Sequence, residues 1–158
     1  MDPFVGMTIL DTQKVEKLII DGYDVNSTNP QPGKNESLIH HAVRKGASAT
    51  VKMLIEQGAN IESRSPTFDK TPIFYAAYSG SRSSIGYLLD AGADATAVDS
   101  SGNNCLREAL IGCGFVDVVE TLLKAGASLE HKNQEGLTMR EVGLKYGNEE
   151  IKAFLNKN

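Results

Sequence analysis

The chain has 158 residues, a formal net charge of −4 at pH 7, 41% hydrophobic and 23% charged residues, and two cysteines, Cys105 and Cys113. That length suits one domain, or one stack of small units sharing a continuous core, and leaves two independent domains cramped. The acidic balance argues against nucleic acid or an anionic membrane as partner, and two cysteines are too few for a disulfide framework, so structural thiols in a reducing, cytoplasmic setting are expected.

The N-terminal MDPFVGMTIL lacks a Lys/Arg-rich start and a long apolar run, so it does not read as a secretory signal peptide, and no later stretch reaches membrane-spanning length. Met7 follows a short Asp-Pro-Phe-Val-Gly prefix, which leaves Met1 to Gly6 readable either as native sequence or as an added leader. Beyond it, Val15, Leu18 and Ile19 stand at i, i+3, i+4, the spacing that lines one face of a helix. The same triplet returns as Val51/Leu54/Ile55, Ile85/Leu88/Leu89, Val119/Leu122/Leu123 and Ile151/Phe154/Leu155. Four of these helices run into a shared glycine, in LIIDGYDVN, LIEQGANIE, LLDAGADAT and LLKAGASLE, so that Gly22, Gly58, Gly92 and Gly126 recur at a step of roughly 34 residues. A second landmark keeps the same step at the start of each helix pair: SLIHHA from Ser37, TPIFYAA from Thr71, NCLREA from Asn104 and TMREVG from Thr138.

In TPIFYAAYSG the Thr71 hydroxyl is placed to cap a helix, Pro72 fits its first turn, Ala76 and Ala77 keep its surface thin, and Gly80 permits the left-handed residue that ends it. The next helix runs to Asp90 and stops at Gly92. Asp99, Ser100, Ser101 and Gly102 then supply turn residues for a projecting, hairpin-like finger.

These residues resemble the ankyrin repeat family, whose unit is a β-turn finger plus two helices with a T-P-L-H-x-A signature; the best copy joins Thr71-Pro72-Ile73, Ala76-Ala77, Gly80, Leu88-Leu89 and Gly92-Ala93-Asp94. The resemblance implies an all-α solenoid of stacked antiparallel helix pairs with β-turn fingers, a single domain over 1–158. Its expected units are a partial repeat with a long finger at 1–36, repeats at 37–70 and 71–103, an irregular repeat at 104–137 and a capping repeat at 138–158. The copies also depart from the pattern. Ser37-Leu38-Ile39-His40 keeps the histidine but replaces the proline, Phe74 stands where the histidine would be, and Asn104-Cys105-Leu106-Arg107 has neither. That unit also carries one extra residue before its shared glycine, assigned near Gly112-Cys113-Gly114, and two glycines there raise the cost of ordering the corner, so the Asn104 to Gly126 unit is expected to open first. Arg140 stands where the other units place Ile39, Ile73 and Leu106, and reads as the solvated face of a terminal cap.

No H-E-x-x-H, phosphate-cradling Gly loop, G-x-S-x-G elbow or paired C-x-x-C is present, and a rod of repeats offers a shallow face rather than a water-excluding pocket. No catalytic residue, cofactor or metal is therefore assigned. His40 and His41 are neighbours on a helix and point apart; the resemblance makes His40 the structural histidine and leaves His41 and His131 as ordinary polar residues. Cys105 and Cys113 have no Cys/His cluster around them, and Asp117 and Glu120 read as a solvated helix face. Leu18, Asp24, Val25 and Asn26 resemble the pattern that asparaginyl hydroxylases modify in ankyrin fingers, with a plain turn asparagine as the other reading of Asn26.

For function, the resemblance implies that another protein docks on the concave face made by finger tips and first helices. The outward positions just before the closing glycines are Arg44-Lys45, Tyr78-Ser79, Ile111-Gly112 and Lys145-Tyr146, a row rich in the Arg and Tyr that dominate binding hot spots. The two N-terminal fingers are the longer ones, and the second, SRSPTFDK, sets Phe68 between turn residues. The candidate partner-binding residues are Arg44, Lys45, Phe68, Lys70, Tyr78, Ser79, Asn103, Ile111 and Tyr146. The expected role is a monomeric adaptor or inhibitor; the alternative is a targeting segment of a larger enzyme or effector, with catalysis elsewhere.

Overall fold

The computed structural model describes residues 2–4, 9–30 and 35–157. Within them lie the helices α1 (Thr12–Ile20), α2 (Leu38–Arg44), α3 (Ser48–Glu56), α4 (Pro72–Ser79), α5 (Arg82–Asp90), α6 (Leu106–Glu108), α7 (Val116–Lys124), α8 (Met139–Tyr146) and α9 (Glu149–Lys157). A π-helical segment, Ala109–Cys113, extends α6. Consecutive helices pair as α2/α3, α4/α5, α6/α7 and α8/α9, and the described residues hold isolated β-bridges but no strand, so the fold is an all-helical repeat stack. Pro32 and Gly33 of the first finger, and Met1 and residues 5–8 of the N-terminal prefix, lie outside the described residues.

The recurring triplets explain the stack. Val15, Val51, Leu54, Ile85, Leu88, Val119, Leu122, Ile151 and Leu155 are all buried, while the third member of most triplets packs at the core's edge. Opposite them lie Leu38, Ile39, Ala42 and Val43 of α2, Ile73, Phe74, Ala76 and Ala77 of α4, and Leu106, Ala109 and Leu110 around the π segment. Helix α2 packs on α4, α4 on the π segment and the π segment on α8, making an inner row; α1, α3 and α5 make an outer row. Between α5 and α7 the outer row loosens and contact becomes sparse. There Arg82, paired with Asp117 and lying 5.0 Å over the Phe115 ring, spans the two helices at their exposed ends.

The extra residue of the irregular unit is absorbed by the π segment, where the wider turn adds one residue without breaking the helix. Gly114 then closes it with a left-handed φ of 65°. Gly112 lies so close to α4 that a Cβ would come within 2.6 Å of the Tyr78 ring. Gly80, at φ 66°, ends α4, and a Cβ there would meet Phe115 at 2.7 Å. Both positions require glycine for contact between units, and Gly80 also for chain reversal.

Three sequence expectations need correction. Thr71 precedes α4, but its hydroxyl makes no cap bond; it is buried without a hydrogen-bond partner. One unit earlier the equivalent Ser37 hydroxyl is bonded to His40 at 2.8 Å. Phe74 occupies the histidine position and offers no nitrogen, so filling the core with a ring leaves Thr71 orphaned, at a cost of about 1–3 kcal/mol. Arg140 is only partly solvated: its Nε donates to Glu130 at 2.9 Å and its guanidinium to the Leu155 carbonyl at 2.9 Å, tying the end of α9 to the preceding turn. His41, expected as an ordinary polar residue, is not one either. It is buried, with Phe4 of the prefix edge-on at 5.7 Å between ring centroids.

The π segment and its glycines fall within one unit, and the loosened α5/α7 seam lies at that unit's border. Native-state hydrogen exchange should find the amides of α6, the π segment and α7 opening before those of α4 and α5. Finding the Asn104–Gly126 unit to be the best protected would overturn this ordering.

Candidate partner-docking face

Each finger is closed by short pairing across its base. Isolated bridges join Thr28 to Ser37, Val98 to Asn104 and Lys132 to Thr138. The second finger closes differently: Ser65 N–H donates to the Lys70 carbonyl at 2.9 Å, Lys70 N–H donates to the Ser65 hydroxyl at 3.1 Å, and Asp69 takes a left-handed φ of 55°. Fingers are then stitched to one another. Ser100 N–H donates to the Phe68 carbonyl at 2.9 Å, Gln134 N–H to the Ser101 carbonyl at 3.1 Å, and His131 Nε2 to the Gly102 carbonyl at 2.7 Å. With its backbone fixed in this way, Phe68 presents a ring that is 53% exposed.

His40 is the crosspiece between the first two fingers. Its Nε2 lies 2.9 Å from the Lys70 carbonyl, which can only accept, so Nε2 carries the proton and Nδ1 accepts from the Ser37 hydroxyl. The Ser63 hydroxyl lies 2.9 Å from that of Ser37 and completes the chain. Burial holds the imidazole below its ordinary value of 6.5, outweighing the Lys70 carbonyl, which pulls the other way.

The Lys70 side chain runs inward. Its ammonium lies 3.0 Å from Glu108 and 3.9 Å from Asp99, and Arg107 pairs with the same Glu108 carboxylate at 2.9 Å. Asp99 also accepts from the Asn103 backbone and side chain, and the Asn103 amide oxygen accepts from Asn133 at 3.0 Å. Lys70 and Asn103 are thus committed to joining fingers and inner helices, and Asn103 is only 4% exposed. They shape the face rather than present themselves on it.

Most of the remaining candidates fall around two basins that share Phe68 and Lys70. The first, about 380 Å³, is lined by Arg44, Phe68, Phe74, Tyr75 and Tyr78, with Glu36 and Glu108 at its walls. The second, about 740 Å³, is more polar and brings Ile111 and Tyr146 together with Arg107, Asp99 and Gln134. Tyr78 and Tyr146 are well exposed, the latter under the Lys145 ammonium at 4.9 Å. Arg44 pairs with Glu36 at 3.1 Å. Lys45 and Ser79 are exposed at their helix ends and line neither basin.

Tyr75, Glu36, Arg107 and Glu108 belong to the face but were not singled out from the sequence. Tyr75 carried a usable signal, since it stands i, i+3 from Tyr78 on one side of α4. It packs edge-on to His40 at 5.6 Å, and burial pushes its phenol above the ordinary value against a hydrogen bond with Ser65. Glu108 carried none: its partner Lys70 comes from another unit, and only the stack brings them together.

Asn26 is an exposed turn residue whose side-chain oxygen accepts from Asn60 N–H at 2.7 Å, and Glu62 makes the same link to Asp94 N–H one unit later. Cys105 is buried and its thiol is pushed up to about 12, with burial the main cause. Asp117 is held below the usual carboxylate range by its hydrogen bond with Arg82. Among the described residues no group of three His, Cys, Asp or Glu side chains gathers as metal ligands.

The neutral His40 bridge makes stability depend on pH. A histidine whose folded pKa lies below its unfolded value contributes stability that is fully present above about pH 6.5 and is lost as pH falls through the folded value. The urea midpoint should drop as the solution is acidified below about pH 6.5, and His40→Gln should start lower and show a shallower drop. An equally steep drop in the variant would remove His40 as the cause.

The sequence profile of ankyrin repeats (3 copies) matches residues 10–99, more than half of the chain. The chain is 31% identical over 108 residues to glycerophosphocholine phosphodiesterase gde1 of Schizosaccharomyces pombe, covering 68% of this chain and 9% of that protein. It is 33% identical over 95 residues to the B-cell lymphoma 3 protein homolog of Mus musculus, covering 60% of this chain and 21% of that protein. It is 27% identical over 145 residues to the putative ankyrin repeat protein FPV031 of fowlpox virus, covering 89% of this chain and 42% of that protein. The chain therefore spans less than half the length of these relatives. Among the described residues no helix is long and apolar enough to cross a membrane. With that match covering more than half of its length, the chain belongs to the ankyrin repeat family.

Proposed function

We propose that this chain is a monomeric adaptor or inhibitor that docks a partner protein over its concave face. Ankyrin repeats are generally protein-interaction modules, and the fold itself is not catalytic. The observation that carries the reading is the first basin: Phe68 and Tyr78, 53% and 59% exposed, stand over a floor made by Phe74 and Tyr75. Large aromatics held in water by a fixed finger and a helix end contribute little to the fold, yet they are the residue types that anchor interfaces. The paired charges of the face and the net acidity of the chain support a protein rather than a nucleic acid as the partner.

The shares of the relatives that the chain covers favour a second reading, in which it is the docking segment of a longer protein. One such relative is named as a phosphodiesterase, and the chain covers 9% of it. Both readings place the partner on the same face.

An affinity pull-down from the native source with wild type and Phe68→Ala/Tyr78→Ala tests the face. Wild type should retain a partner that the double variant binds about tenfold more weakly or worse, while the circular dichroism spectrum is unchanged. Equal affinity for that partner would refute docking at the first basin.

A further inference from the structure

The chemistry of the partner can be read from what the first basin still lacks. Its floor is aromatic, with Phe74 and Tyr75 below and Phe68 and Tyr78 at the sides. Every carboxylate around it already has a cation: Glu36 has Arg44, Glu108 has Lys70 and Arg107, and Asp69 has Arg64. With those pairs made, the basin holds no unmatched negative charge to attract a basic group, and its walls favour an uncharged one. Lys45 does not line the basin but directly follows Arg44, which does, at the end of α2; it is exposed and makes no ion pair with the described residues. The lip made by the inner-helix ends carries Arg44, Lys45 and Lys145 and no carboxylate, in a chain whose net charge is −4.

Resting on the reading that the concave face is the docking surface, we propose that the first basin seats one bulky apolar side chain of a partner segment whose neighbouring residues are acidic. The anchor enters between Phe68 and Tyr78 onto Phe74 and Tyr75, displacing water from about 380 Å³, and the flanking carboxylates meet Lys45 and the exposed edge of Arg44. Apolar burial supplies the affinity, and the lip supplies orientation and selection against basic segments.

The test is selection of linear peptides from an unbiased phage-displayed library on the intact chain, followed by titration of the winning synthetic peptides. The expected consensus is an aromatic or large aliphatic residue with Asp or Glu close by. Tyr78→Ala should weaken binding about tenfold or more, Lys45→Glu should weaken it and flatten its salt dependence, and Glu120→Ala on an outer helix should leave it unchanged. Thermal unfolding of each variant shows whether the fold is kept; both tested side chains are exposed. Peptides that are lost on Tyr78→Ala but share a basic or wholly polar consensus would overturn this proposal and leave concave docking standing. Winning peptides indifferent to Tyr78→Ala and Lys45→Glu would overturn both. A selection that enriches no peptide would overturn the proposal as well.

Discussion

The apolar stripe of each outer helix is covered partly by the inner helix of its own pair and partly by the next pair. Val51 and Leu54 of α3 and Ile85 and Leu88 of α5 lose contact with water because α1, α3 and α5 lie side by side as well as on their own inner helices. Burying each such side chain contributes about 2 kcal/mol, and no single pair can collect that contribution alone. From this follow the thin, alanine-rich inner helices, the glycines where units touch, and the finger-to-finger hydrogen bonds. The fingers inherit their positions from the stack. His40 ties the first to the second through Ser37 and Lys70, and Lys70 then ties the second to the irregular unit beyond the next one through Glu108.

Periodicity made the architecture legible because the features that define it are local. A triplet at i, i+3, i+4 and a glycine at a helix end act within their own unit, and repeating the unit amplifies the signal. The extra residue before Gly126 was equally readable as a count, but its form as a π turn depends on how α6 rides over Tyr78. The hydroxyl of Thr71 was misread because its fate is decided by Phe74, three residues along, where a ring replaces a hydrogen-bonding histidine. Arg140 and His41 were misread for a different reason: groups that hold them, Glu130 and Phe4, lie outside their own unit.

The face was legible in outline. Arg44, Phe68 and Tyr78 meet around one basin, and Ile111 and Tyr146 around the next. Lys70 and Asn103 have residue types suited to a contact surface, but the stack turns them inward to hold Glu108 and Asp99. Such a division of labour suits a docking surface. Rings that are exposed can be exchanged for contact with a partner, whereas the charges that position them are settled before the partner arrives, so little reorganisation is needed on binding.

The most direct measurement is a hydrogen-exchange footprint of the chain, free and bound to a partner recovered from its native source. Docking on the concave face predicts slowed exchange along Ser65–Lys70 and at the ends of α2 and α4, with α3 and α5 unchanged. Protection confined to the outer helices, with the finger around Phe68 unaffected, would contradict it.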